Sequence, residues 1–287
     1  MNDNLFLSIL AMDAYNRGPG NRRDPSLGSI VSSSKVGKAT LIYESDSDDQ
    51  DDYGYSSVAY SWNGKKIIAY RGTDDTDIFQ DTSDIWNGWT TGGGFIGTQA
   101  QLALETYTQV TGKSVTVADT SVILTGQSLG GALAGFVSAV SGTNGVLFDH
   151  MAFTDAAYAK AALLGSALHT DKQNAFYVEG DILALNRIHD LTPNYQVPTY
   201  ETAILAQSEF TSPIWVNGFY MHQPETMVIM MFGDTETTST AWNSATPYFL
   251  SKLFDHQVMD AVSGLTPDNS SNPAYYPYYN QRMCRGR

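Results

Sequence analysis

Ser128 stands in Gly126-Gln127-Ser128-Leu129-Gly130, and the segments on either side suggest what that serine could do. Ser121 to Thr125 is short, apolar and β-branched, which reads as a buried strand. Gly131 to Val140 is small, apolar and built of helix formers. A G-x-S-x-G between a strand and a helix predicts a sharp turn with the serine hydroxyl at its tip, over a helix N-terminus. The residues two before and two after the serine must lack a Cβ there, because strand and helix pass too close. A serine so placed is a candidate nucleophile. The plainer reading is a glycine-rich strand–helix turn with an ordinary capping serine.

A serine nucleophile needs a base to take its proton and a carboxylate to hold that base in the right tautomer. In α/β-hydrolases, whose serine turn this segment resembles, these partners follow it in chain order, acid first and histidine second. Asp181 follows the apolar segment Ala175 to Val178 and fits the end of a later strand. Asp155, after the preceding strand, is its rival. Of the later histidines, His222 lies in a loop directly ahead of the apolar run Thr226 to Phe232. His256 falls in what reads as a surface helix, and His189 follows Asp181 closely; both remain alternatives. Acyl transfer also requires hydrogen-bond donors for a developing oxyanion. The N–H of Leu129 is one candidate, and Thr73, at the end of Ile67-Ile68-Ala69-Tyr70-Arg71-Gly72-Thr73, is the other.

The elements that must position these residues alternate between strands and helices. Asn2 to Asn16 has helical spacing and is stopped by Gly18-Pro19-Gly20. Thr40 to Tyr43, Tyr55 to Trp62 and Lys66 to Tyr70 read as strands, the last two joined by Asn63-Gly64, a hairpin turn signal. Gly97 to Thr111 reads as a helix, Val146 to Phe153 as a strand, Ala156 to Leu168 as a helix and Ala175 to Val178 as a strand. The expected fold class is therefore α/β, a mainly parallel sheet with helices on both faces. No linker divides the chain, so residues 1–287 are expected to form one domain, with an irregular tail over 266–287. The acidic run Glu44 to Asp52 reads as a solvated turn rather than a calcium loop, since the glycine and terminal glutamate of such a loop are missing.

Composition narrows the function classes. A formal charge of −14 argues against nucleic acid or an anionic membrane as the main partner. No run approaches the ~18 consecutive apolar residues of a membrane span. Cys284 is the only cysteine, so a disulfide within the chain is impossible and a catalytic cysteine is disfavoured. Met1 to Leu10 carries Asp3 and neither Lys nor Arg, unlike the charged start of a secretory signal. The chain is expected to stay inside, to have lost a signal, or to leave by another route.

Tyr70-Arg71-Gly72-Thr73 resembles the oxyanion strand of class 3 lipases, the fungal-type triacylglycerol lipases and their bacterial relatives. Gly126-Gln127-Ser128-Leu129-Gly130-Gly131 is similar to their elbow, with Gln127 where His is commoner. Gly180-Asp181-Ile182-Leu183 resembles their acid motif without the proline that often follows, and Met221-His222-Gln223-Pro224-Glu225 their histidine motif. The resemblance spans roughly Leu5 to Leu265. It implies an α/β-hydrolase fold and hydrolysis of carboxylic esters, with either a small ester or a lipid met at a lipid–water interface as substrate. It implies Ser128 as nucleophile, His222 as base, Asp181 as orienting acid, Thr73 and Leu129 as oxyanion donors, and no metal or cofactor. It also places a lid at Asp75 to Phe95, where Ile78, Phe79, Ile85, Trp86 and Trp89 alternate with acids ahead of a triple glycine. A packed surface helix is the plainer reading of that segment. Phospholipase A1 or thioesterase activity would use the same machinery, and a non-catalytic lipid- or partner-binding protein is the alternative outside enzymes.

Overall fold

The computed structural model describes residues 3–17, 34–73, 96–178 and 181–183, the backbone of 194–196, and residues 222, 224, 227, 228 and 231. The lid candidate 75–95, with Ile78, Phe79, Trp86 and Trp89, lies outside the described residues, as do His189, His256 and the tail 266–287.

Among the described residues the order is α1 (Asp3–Asp13), a 3-10 turn (Ala14–Asn16), β1 (Lys35–Val36), β2 (Ala39–Glu44), α2 (Ser47–Tyr53), β3 (Ser57–Trp62) and β4 (Lys65–Tyr70). Then come α3 (Thr98–Thr111), β5 (Val122–Gln127), α4 (Leu129–Ser141), β6 (Asn144–Phe148), α5 (Thr154–Leu164), β7 (Gln173–Tyr177) and β8 (Asn194–Gln196). The strands form one eight-stranded sheet in sequence order. β1 to β4 pair antiparallel, and β4 to β8 pair parallel. The β3–β4 hairpin turns on Asn63 and Gly64, both with positive φ (49° and 74°), as a turn matching the twist of its strands requires.

Burial sorts by residue parity. Val58, Tyr60, Ile67, Ala69, Val146 and Phe148 face α1, in one core cluster with Met227, Val228 and Met231. Their neighbours Ala59, Ile68, Tyr70, Leu124 and Leu147 face the other way, against α3, α4 and α5. This alternation is the two-residue period of a strand buried on both sides. Parallel strands joined in sequence by right-handed crossovers keep moving in one direction, so the connecting helices α3, α4 and α5 share one face. α1 covers the other, and its Leu5 to Asp13 are all buried because it is apolar nearly all the way round. Its last turn carries a buried polar cluster: Asp13 accepts from Tyr60 Oη (2.6 Å) and Arg17 Nε (2.8 Å).

Two segments depart from the sequence reading. The acidic run, expected as a turn, contains the short helix α2. Asp46 Oδ1 accepts from the N–H of Asp48 at its start, and Asp48 and Asp49 occupy the first turn, where negative charge is favoured. The strand expected over 146–153 stops at Phe148. Asp149 adopts φ 41°, and Met151 N–H donates to the carbonyl of Ser128, which bends the chain beneath the elbow.

Candidate active site

The C-terminal ends of the parallel strands, where α/β sheets place ligands, all deliver candidate residues to the same edge. β4 runs out through Tyr70 into Arg71-Gly72-Thr73, β5 into Ser128, and β7 through Val178 toward Asp181. The registers Tyr70↔Gly126, Gln127↔Phe148 and Phe148↔Phe176 set these ends level.

Ser128 has φ 59° and ψ −127°, a strained conformation for a residue with a Cβ, and α4 begins immediately after it. Gly126 is required here: a Cβ on it would lie 2.3 Å from the carbonyl carbon and oxygen of Gly130. The surroundings fix the strain in place. Ser128 N–H donates to the carbonyl of Phe148 (3.0 Å), and its own carbonyl accepts from Ala132 and Met151. The elbow geometry expected at Gly126–Gly130 is thus present.

His222 Nε2 lies 2.7 Å from Ser128 Oγ, and its Nδ1 lies 2.5 Å from Asp181 Oδ1. An ionised Asp181 carboxylate can only accept; with it, the neutral imidazole places its proton on Nδ1 and turns the Nε2 lone pair toward the serine hydroxyl. The Asp181 side chain is fully buried, whereas that of His222 keeps 14% of its surface exposed. Asp181 is anchored by its N–H to the carbonyl of Val178 (3.1 Å), and Oδ1 also accepts from Leu183 N–H (3.2 Å). His222 stands in a turn, ahead of helical Pro224, Met227, Val228 and Met231. Met227, Val228 and Met231 are buried against the α1 face of the sheet.

Leu129 is the first residue of α4, so its N–H is among the donors a helix leaves without an internal partner. The turn leading to Thr73 passes close to the elbow, since a Cβ on Gly72 would lie 3.1 Å from Ser128 Cβ and 2.7 Å from the carbonyl oxygen of Gln127. Thr73 itself is half-buried. The rival acid Asp155 sits exposed in the first turn of α5. Among the described residues no group of three or more His, Cys, Asp or Glu could hold a metal ion.

Two residues that sequence reasoning passed over, Asp149 and Tyr15, and Gln127, noted there only as a departure from the elbow motif, support this constellation. Asp149 Oδ1 accepts from the N–H of Val178 (2.8 Å), tying the loop that carries Asp181 to the end of β6. Tyr15 Oη donates to Gln127 Oε1 (2.6 Å), and Gln127 Nε2 donates to the carbonyl of His222. Asp149 follows a buried strand, a weak signal at best, and nothing in the sequence pairs Tyr15 with a residue so distant.

The topology, the elbow and the placement of Ser128, Asp181 and His222 at one sheet edge define the α/β-hydrolase fold. Residues 8–203 match the family described as Phospholipase-like: Tle-like phospholipase domain, and the chain belongs to that family. Membership makes it a lipolytic hydrolase. Among solved structures, a mutant of MDLA from Penicillium cyclopium is 13% identical, with 68% of this chain and 78% of that one covered at a TM-score of 0.39. A lipase from Rhizopus microsporus var. chinensis is 14% identical, with 65% and 68% covered at a TM-score of 0.34. No curated protein is similar enough to this sequence to count as a relative. Among the described residues no helix is long and apolar enough to cross a membrane.

Proposed function

We propose that the chain, as a single domain, hydrolyses carboxylic esters of lipids through an acyl-enzyme on Ser128. Ser128 Oγ attacks the ester carbonyl carbon while its proton passes to His222 Nε2. The imidazolium that forms is held by Asp181. The tetrahedral oxyanion is stabilised by donors from Leu129 and Thr73. The C–O bond to the alcohol breaks, and the alcohol leaves with the proton from His222. Water then attacks the acyl-enzyme, again giving a proton to His222, and the fatty acid departs as Ser128 recovers its hydrogen. The observation that carries this reading is the continuous chain Ser128 Oγ–His222 Nε2 (2.7 Å) and His222 Nδ1–Asp181 Oδ1 (2.5 Å) at a strained elbow.

Acylglycerols are the substrates the motif resemblance favours. The family match favours a second reading, cleavage of an acyl ester of a glycerophospholipid. Fatty-acid release from triacylglycerol emulsions and from phospholipid vesicles, by wild type and Ser128→Ala, tests both. Release from either, abolished in the variant, supports ester hydrolysis, and the faster substrate names the class. Release that survives in the variant overturns the mechanism.

We assign the acyl-chain contacts and the role of a lid to Asp75 to Phe95, with Ile78, Phe79, Trp86 and Trp89 as its apolar face. The support is position: the segment leaves the end of the oxyanion strand two residues after Thr73. Replacing Trp86 and Trp89 by Ser should depress hydrolysis of long-chain esters far more than of acetate or butyrate esters. Equal loss on both, with lowered thermal stability, would make those tryptophans core.

A further inference from the structure

Behind the elbow, one buried carboxamide joins the nucleophile strand to the loop that carries the histidine. Gln127 is 2% exposed, as is Tyr15, which the 3-10 turn after α1 delivers to the same spot. Tyr15 Oη lies 2.6 Å from Gln127 Oε1 and 3.2 Å from the Gln127 carbonyl oxygen. Gln127 Nε2 donates to the main-chain carbonyl of His222. The tyrosine hydroxyl also lies beside the turn before Thr73, since a Cβ on Gly72 would stand 2.3 Å from it.

Donor and acceptor roles in this chain are determined. A main-chain carbonyl can only accept, so the His222 carbonyl takes the NH2 end of Gln127; Oε1 then faces Tyr15, and the hydroxyl, which could do either, must donate. Asp181 holds the imidazole ring, but a ring can pivot about its own backbone. The Gln127 amide holds the backbone itself. Burial makes the arrangement costly to break, because each separated polar group would be left without water.

We propose that Gln127 is a positioning residue for His222, and that Tyr15 orients Gln127 for that task. The N-terminal helix thereby becomes part of the machinery that places the base against Ser128. This inference rests on the reading of Ser128, His222 and Asp181 as the reacting set.

The experiment compares wild type, Gln127→Met, Gln127→His and Tyr15→Phe as full chains. The readouts are the rate of Ser128 modification by a fluorophosphonate, kcat and KM on a p-nitrophenyl ester, and thermal stability. Gln127→Met fills the space without donor or acceptor. It should slow both modification and kcat by about 10–100-fold, the scale of a misplaced reacting group, with KM little changed. Tyr15→Phe removes one oxygen and should slow them by about 3–10-fold, the scale of a lost hydrogen bond. Gln127→His keeps one donor and one acceptor in a neutral imidazole and should recover most of the rate. A purely structural role would lower thermal stability without this split between kcat and KM and without rescue. Folded Gln127→Met and Tyr15→Phe proteins modified at the wild-type rate would overturn the proposal. Should Gln127→Met fail to fold, Tyr15→Phe decides it by the same criterion. Absence of modification at Ser128 in the wild type would instead remove the triad reading, and the relay with it.

Discussion

Gly130 lies against the main chain of Tyr70 so closely that a Cβ on it would stand 2.0 Å from the Tyr70 carbonyl oxygen and 2.7 Å from its carbonyl carbon. Both obstructing atoms are backbone of Tyr70, which is paired with β3 on one side and β5 on the other, so neither can swing aside. The first turn of α4 and the end of β4 are therefore locked together, and with them the Leu129 N–H and the turn toward Thr73.

Gly130→Ala should accordingly lose activity together with stability, by about 1–3 kcal/mol or more, as overpacking a closed site does. Gly165→Ala is the control. Gly165 has φ 64° but nothing within 4 Å of an added Cβ, so only the left-handed backbone conformation is penalised, at about 1–2 kcal/mol. Urea unfolding together with ester hydrolysis separates the two: the first variant should fall on both measures, the second on stability alone.

Removing the base should cost more than removing the acid. His222→Ala eliminates the only group within reach of the Ser128 hydroxyl proton among the described residues, and should lower kcat by several powers of ten. Asp181→Asn should be somewhat milder, because the imidazole can partly find its orientation without the carboxylate. Asp155→Asn should be near wild type, since that carboxylate is exposed in the first turn of α5. Steady-state kinetics on one short-chain ester checks all three, and an inactive Asp155→Asn beside an active Asp181→Asn would reverse the assignment of the acid.

Much of this arrangement was legible in the residues. Asn63-Gly64 specified a hairpin because few other pairs tolerate two positive φ values in succession. Gly126 and Gly130 around Ser128 specified the elbow because both flanking backbones exclude a Cβ. Alternation along β3 and β4 was blurred, since both faces are buried and apolar, but their length and branching identified them as strands. The acidic helix α2 was hidden because its sequence argues for solvation, while the Asp46 carboxylate that accepts from Asp48 N–H at its start is one more acid in the run. Asp149 was illegible because its positive φ is imposed by the bend beneath the elbow. Tyr15 and Gln127 meet only after the sheet has formed, so no local pattern could pair them.

The loop that feeds β5 gives a pH-dependent prediction. Burial works against ionisation of Asp119, but hydrogen bonds from Ser121 Oγ and N–H and the ion pair with Lys113 (3.0 Å) outweigh it and hold the carboxyl below its ordinary value. A depressed folded value means that Asp119 contributes stability above the unfolded pKa of about 3.9 and loses it as pH falls through the folded value. Asp119→Asn should therefore unfold at lower urea than wild type near neutral pH. The gap should narrow as pH drops past the ordinary carboxylate range and close below it. A gap independent of pH would show that packing of the side chain, and not its charge, matters at this position.

Covalent chemistry at Ser128 tests the acyl-enzyme mechanism most directly. Treatment with a fluorophosphonate forms an Oγ–P bond as fluoride leaves, and peptide mass spectrometry locates the added mass. Ser128 alone should be modified, esterase activity should disappear in step with modification, and His222→Ala should slow both together. Modification at a different residue, or an unmodified Ser128 in a protein whose activity has been abolished, would overturn the proposed role of Ser128.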